Sequence, residues 1–582
     1  MMKRVSTKSV WIVFISVLLV VFTVSNPIKV LQSGYPFLSS EQRSVSAVEL
    51  RDNNIFSING TLRVSPDNPR YFTDNSGRAI FLTGSHTWDN RQDLGTGKFN
   101  WTGYLDDLES WGHNFIRLYI WEEPSPPNGA PNLVNNNTTL TPEVWKRTGP
   151  GTANDGGLKF DLTQYNQDHF DRLRQRIVEA GNRGIYVSIM LFNGWSVAQK
   201  GGGADPWPNH PFNVANNING INGDPDNDGN GYETENLSNR NITALQEAYV
   251  RHVIDTVNDL DNVLYEIANE PDQNINGTLG WVNHMIDYIH TYEGGKPKQH
   301  PVWFTVLWPG ENDAYLLASN AEAISPNSDV DNNGTKVVIP DTDHYFGIGG
   351  NADWAWRQFT RGVGGVAYMD CWNNLFLDCS SLGHPNQNFR DNLGYIRHYA
   401  ERMNLVAMTP QPDLCSTQYC LANPAADGAE YLIYLPSGRT TTSILETLGM
   451  QSQDHKRISS FYLSLDSETT VDLSMASGEL NVEWFNPADG VVTDGGTVIG
   501  GSSRSFVAPF SGDAVLYIYD LDGPLPSSTS TQLPPEPSST STHVSSTTTP
   551  DPDNSPLPCV VGTLLWMSIG VVLLRMPVFF KR

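Results

Sequence analysis

The sequence predicts an α/β fold: a (β/α)8 TIM barrel followed by a small all-β sandwich, with apolar membrane segments at both termini. Three observations predict it. Eight short apolar runs alternate with amphipathic segments between about Ala79 and Met403. After about Asp427 the pattern changes to short alternating strands set between Gly, Asp and Pro turns. The turn after the first apolar run, "GSHTWDN" from Gly84, carries bulky side chains and no G-x-G-x-x-G, which argues against an open doubly wound sheet. Strands alternating with helices over this length suit a barrel with insertions.

The elements follow in order. Lys3, Arg4 and Lys8 precede an apolar run from Val10 to Val24, so residues 1–30 read as a signal peptide or a signal anchor. The barrel is expected over residues 56–410. It opens with an Asn-Gly and Asn-Ser-Gly hairpin (residues 56–81) placed to cap the barrel floor. The candidate strands are residues 79–89, 114–123, 185–195, 263–271, 301–310, 321–327, 336–345 and 364–372. Helical patterns fall between them, and Gly181 and Gly184 stop one helix just before a strand. The β-sandwich is expected over residues 427–521 and a Ser/Thr/Pro-rich stalk over 522–558. Cys559 to Leu574 is apolar and is followed by Arg575, Lys581 and Arg582, so residues 559–580 are read as a transmembrane helix with a cytoplasmic tail.

Charge and cysteines narrow the partners. With 63 Asp and Glu against 37 Lys and Arg, the net charge is -26. No basic stripe offsets it, which excludes nucleic acid as a partner. Asn-x-Ser/Thr sequons at Asn59, Asn100, Asn136, Asn241 and Asn276 agree with an exported chain. Outside the cell the natural reading of the close pairs Cys371 with Cys379 and Cys415 with Cys420 is two local disulfides.

In a barrel the reactive groups gather at the C-terminal strand ends. The first strand brings His86, Trp88 and Asp89, and the second Arg117, Tyr119, Trp121 and Glu122. Asn193 and Trp195 end the third, Asn269 and Glu270 the fourth, and Trp308 the fifth. Asp341, Asp343 and His344 end the seventh, Asp370 and Trp372 the eighth. Aromatic rings beside carboxylates suit a sugar: rings stack on pyranose faces and carboxyls do acid–base or nucleophilic work.

These residues carry a resemblance. Asn269-Glu270-Pro271 at the end of the fourth strand resembles the signature of the large clan of retaining (β/α)8 glycoside hydrolases. The resemblance implies that Glu270 is the acid/base, that Asn269 holds the sugar 2-hydroxyl, and that Arg117 supports a nucleophile at the seventh strand end. "PRYFTDNSGRAIFLTGSHTWDN", "DTDHYFGIGGNADWAWRQFTRG" and "MDCWNN" further resemble a cellulase-like subgroup, whose C-terminal module, named for collagen binding, is similar to "GELNVEWFNPADG" and "FVAPFSGDAVLYIYD". Where the clan has Glu at the seventh strand this chain has Asp, so the second carboxyl is Asp341 or Asp343, with Asp341 favoured as first past the apolar run. The same departure leaves retaining and inverting chemistry open.

A separate motif lies in "DPDNDGNGYETE". Asp224, Asp226, Asp228, Asn230 and Glu235 fit the ligand spacing of a calcium loop, with Gly229 at the sharp turn. Catalysis itself needs no cofactor in this reading. The expected protein is a membrane-anchored cell-surface enzyme acting on carbohydrate, with Glu270, Asp341 and Asp343 as candidate catalytic groups. Asn269, Arg117, His86, Trp88, Trp121, Trp195, Trp308, His344 and Asp370 are the candidate substrate contacts. The alternative is an inert surface adhesin that binds glycan or protein.

Overall fold

The computed structural model of the chain describes residues 44–45, 58–88, 90–94, 97–124, 140–200, 205–310, 313–329, 334–372, 386–437 and 467–520. The signal or anchor segment, the stalk, the terminal apolar run, Asp89 and Cys379 lie outside them. No helix among the described residues is long and apolar enough to cross a membrane.

Eight parallel strands make the first layer: β1 (Leu82–His86), β2 (Phe115–Leu118), β3 (Tyr186–Asn193), β4 (Val263–Asn269), β5 (Val302–Thr305), β6 (Ala323–Ser325), β7 (Val337–Val338) and β8 (Gly365–Met369). Strands β2 to β7 form one continuous curled sheet in sequence order, and β8 pairs with β1. Hydrogen bonds between Asn114 and Thr83 join β1 to β2, and Ala367 N–H to Pro340 O (3.0 Å) joins β8 to the end of β7, so the ring closes. At Gly84 a Cβ would meet Phe115 O at 2.1 Å, so only glycine lets β1 and β2 approach this closely. The strands are buried along their whole length, as parallel strands covered by helices must be.

Helices α1 (Trp101–Ser110), α2 (Gln167–Gly181), α3 (Arg240–Val257), α4 (Thr278–Glu293), α5 (Ala314–Ala318), α6 (Asp343–Phe346), α7 (Ala352–Thr360) and α8 (Gln387–Arg402) fall between or after the strands. Helix α8 shows why. Asn386 caps its first turn by accepting from Phe389 N–H, and Phe389, Leu393, Ile396 and Ala400 bury one stripe of it. The expected floor cap is present as a small antiparallel sheet (Arg63–Val64, Phe72–Thr73 and Ala79–Ile80). Its Leu62 and Phe72 pack with Leu82, Phe115, Leu264, Trp303 and Val337 from the strands.

The β-sandwich begins earlier than residue 427. Strands β9 (Thr409–Pro410) and β10 (Cys420–Asn423) already belong to its main sheet, because each pairs antiparallel with the next. That sheet continues through β11 (Glu430–Leu435), β13 (Glu479–Asn486), β14 (Val491–Ile499) and β16 (Ala514–Tyr519). Strands β12 (Glu468–Asp472) and β15 (Ser503–Val507) pair beside it. The sandwich packs on α7 and α8: Trp356 stacks on Tyr434 at 6.3 Å and meets Phe485 at 5.8 Å, and Arg402 pairs with Glu483 at 2.7 Å.

Candidate active site

The site is built on a buried cation. Arg117 points from β2 into the barrel and is wholly unexposed, as are Glu266 of β4 and Asp341 beyond β7. Its Nε donates to Glu266 Oε2 (2.9 Å), Nη1 to Asp341 Oδ2 (2.5 Å) and Nη2 to Asn269 Oδ1 (3.0 Å). Asn269 in turn donates to the Tyr119 hydroxyl at 2.7 Å. A guanidinium taken from water costs too much unless its donors are matched, and two carboxylates and an amide match them here.

Asp341 is consumed by this network. His86 Nε2 lies 3.0 and 3.1 Å from its two oxygens, and Asp343 N–H donates to Oδ1 at 3.1 Å. Burial works against its charge, but His86 and Arg117 outweigh burial and hold its carboxyl well below the usual range. Asp341 is therefore an ionised anchor with both oxygens engaged and no exposure.

Asp343 has the opposite character. The shared strand parity expected for Asp341 and Asp343 does not persist, because β7 is only two residues long and the chain enters α6 at Asp343. Asp343 is partly exposed, and no hydrogen bond to its carboxyl is present among the described residues. Burial, then the charges of Glu270 and Asp341, push its pKa well above the usual range, while Arg117 pulls the other way. Glu270 is the stronger source of that charge, its contribution exceeding that of Asp341. Trp195 Nε1–H donates to Glu270 Oε2 at 2.5 Å, and His344 Nε2 stands 3.9 Å from Glu270 Oε1. Ser325 Oγ accepts from Asp341 N–H (3.0 Å) and lies 3.3 Å from His344 Nδ1.

Of the expected tryptophans, Trp195 meets Glu270; Trp88, Trp121 and Trp308 are likewise half-buried, and Trp121 Nε1 donates to Trp88 O at 2.9 Å. Three expected substrate contacts are instead internal. Arg117 and His86 are buried beneath Asp341 and act through it. Asp370 is 1% exposed and held by Arg390 in a two-pronged ion pair at 2.8 Å, so its oxygens are already spent. Glu266 was not anticipated. Its signal was in the sequence: an acid inside a buried apolar strand requires a buried cation, and Arg117 inside the second strand is that cation.

The calcium-loop reading is revised in part. Asp224, Asp226 and Glu233 bring carboxylate oxygens within 4.8 Å of one another, a set that could hold a cation. Glu235 is not in this set. The turn at Tyr232–Glu235 sends Glu233 toward the aspartates and drives Glu235 inward, where it is 2% exposed and faces Lys200. Asp228 and Asn230 are also outside the set: Asp228 Oδ1 accepts from Asn230 N–H within the turn. Of the expected disulfides, Cys371 is disulfide-bonded. Cys415 and Cys420 are instead free, buried thiols. A hydrogen bond from Cys420 is the main cause that brings the Cys415 thiol down to about 6.

Two buried acids give a pH signature. Burial pushes Glu123 up to about 8 and Glu235 up to about 7. Their folded forms keep protons that the unfolded chain releases above about 4.5. That part of the stability is complete below about 4.5 and is lost as pH rises through the folded values. Wild type should therefore lose about 2 kcal/mol relative to Glu123→Gln between pH 6.5 and 8, since the other titrations are common to both. Urea unfolding of both proteins at the two pH values checks this.

Residues 141–316 match the family model of a domain of unknown function, DUF6298. No curated protein matches the chain. Among solved structures, a glycoside hydrolase family 5 protein from Bacteroides vulgatus is 14% identical with a TM-score of 0.45, covering 82% of this chain and 95% of that one. An endo-1,4-beta-mannanase from Rhizomucor miehei is 14% identical with a TM-score of 0.36, covering 59% and 99%. An endo-glycoceramidase II from Rhodococcus sp. is 13% identical with a TM-score of 0.34, covering 77% and 99%. At such distances the chemistry has to be read from the residues of the site itself.

Proposed function

We propose that the chain is a glycoside hydrolase in which Glu270 and Asp343 are the reacting carboxyls. The observation that carries the reading is that Glu270, just past β4 and bonded to Trp195, acts electrostatically on Asp343, whose N–H is bonded to the ionised, Arg117-held Asp341. In this reading Glu270, whose Oε1 is not taken by Trp195, passes a proton to the glycosidic oxygen. Asp343 is then the carboxylate that attacks the anomeric carbon, with Arg117 as the positive charge that favours its ionised form. Water, activated by Glu270, releases the sugar. Asp341 supports the reaction by fixing Arg117 and His86 and does not touch substrate. Sequons and the Ser/Thr/Pro-rich stretch favour work at the cell surface.

Hydrolysis of a panel of plant, fungal and animal polysaccharides by the purified protein tests the reading. Release of reducing ends from at least one glycan is expected, with a loss on the order of 10³-fold in Glu270→Gln. Binding of glycans with no cleavage of any of them would favour an inert adhesin instead.

We also propose that calcium fills the Asp224–Asp226–Glu233 loop in a structural role. Adding Ca2+ to chelator-treated protein should then raise the melting temperature by a few degrees, and Glu233→Gln should remove the rise. An unchanged melting temperature would rule the ion out.

A further inference from the structure

Glu270 is one of three non-glycine residues among those described with a left-handed backbone, at φ +45°. The conformation is doubly unfavourable, because Glu270 carries a side chain and precedes Pro271. Such a residue stays in place only where its surroundings fix it. Two groups converge on its carbonyl oxygen. One is Gly194, where a Cβ would lie 2.5 Å from Glu270 O and 2.8 Å from Pro271 Cα. The other is Lys200, which is 3% exposed and whose Nζ donates to Glu270 O at 2.7 Å. The next peptide is tied down as well, by Trp308 N–H to Pro271 O at 2.9 Å.

Lys200 is itself held from several sides. Its Nζ stands 5.6 Å from the Trp308 ring centroid, and the buried carboxylates Glu235 and Asp272 act on it with Glu270. An ammonium costs several kcal/mol to bury, so its use on a backbone oxygen directly behind a reactive carboxyl calls for a reason. A cation needed only to balance Glu235 and Asp272 would have no requirement to end on that carbonyl.

We propose that Lys200 is a positioning residue: its ammonium clamps the strained Glu270 peptide and so aims the Glu270 carboxyl at the glycosidic oxygen. Asp272, and Glu235 once it ionises at about 7, hold the ammonium on that carbonyl. The inference rests on the reading of Glu270 as the proton donor. Without the clamp the peptide relaxes toward an extended conformation, and the proton is delivered from the wrong place. The loss should then scale with how much the leaving group needs a proton.

The test uses paired 2,4-dinitrophenyl and phenyl glycosides of glucose, mannose, xylose and galactose. Dinitrophenolate leaves without protonation, whereas phenolate needs it. Lys200→Met and the doubly neutral Lys200→Met/Glu235→Gln are compared with wild type, the second leaving no unpaired carboxylate from the Lys200–Glu235 pair. The expected result is a fall in kcat of about 100-fold on the phenyl glycoside with less than 10-fold on its dinitrophenyl partner, at little change in KM. Equal losses on both, or no loss in the folded double variant, would overturn the role of Lys200 while leaving the hydrolase reading intact. Failure of wild type to cleave any of these glycosides or any glycan of the panel would overturn that reading and the inference with it.

Discussion

Asp343→Asn is expected to remove glycoside cleavage while leaving the fold intact. The amide matches the carboxyl in shape, and no hydrogen bond to the Asp343 side chain is present among the described residues, so nothing structural is broken. Stability should hold or rise slightly, because a group whose charge is disfavoured by burial and by Glu270 and Asp341 has become permanently neutral. What is lost is the attacking carboxylate, so turnover should fall by on the order of 10³-fold or more. Asp341→Asn should behave differently. It weakens the hold on Arg117 and His86 and should lower the melting temperature together with activity. Steady-state rates and thermal unfolding of both variants separate the two roles.

Arg117→Met should carry the largest cost in stability. Glu266 and Asp341 are both wholly unexposed, and the guanidinium is the cation they share. Removing one partner from a buried pair costs about 3–5 kcal/mol, because the remaining charge has no water to turn to. For a domain of this size that corresponds to a fall in melting temperature of roughly 5 °C. Adding Glu266→Gln should recover part of the loss, as it neutralises one of the stranded carboxylates. Activity should not return with stability, because Asn269 and Asp341 lose the donor that orients them. Calorimetry on the single and double variants checks the stability, and the rate on any cleaved glycoside checks the rest.

The barrel was legible because its strands are short apolar runs that end in polar residues, a pattern that survives without any knowledge of pairing. The place of Glu270 just past the buried fourth strand was legible for the same reason. The orientation of the acids after the seventh strand was harder. Alternation along a strand predicts that Asp341 and Asp343 point the same way, but β7 stops at Val338 and α6 begins at Asp343. Once the backbone leaves the extended conformation, side-chain parity carries no information. The calcium loop was misread by a similar step: ligand spacing counts residues, whereas the turn at Tyr232–Glu235 decides which carboxyl faces the aspartates. Asp370 and Lys200 needed three-dimensional knowledge of a kind no local pattern supplies. Their partners, Arg390 and the Glu270 carbonyl, lie 20 and 70 residues away in the chain.

The pairing of Glu270 with Asp343 is tested most directly by azide rescue of the alanine variants on a dinitrophenyl glycoside. Azide should fill the space left in Asp343→Ala, attack the anomeric carbon and restore turnover, giving a glycosyl azide of inverted configuration. In Glu270→Ala azide should instead intercept the glycosyl-enzyme and give the retained configuration. Rescue of Asp341→Ala with no rescue of Asp343→Ala would contradict the account and move the nucleophile to the buried anchor.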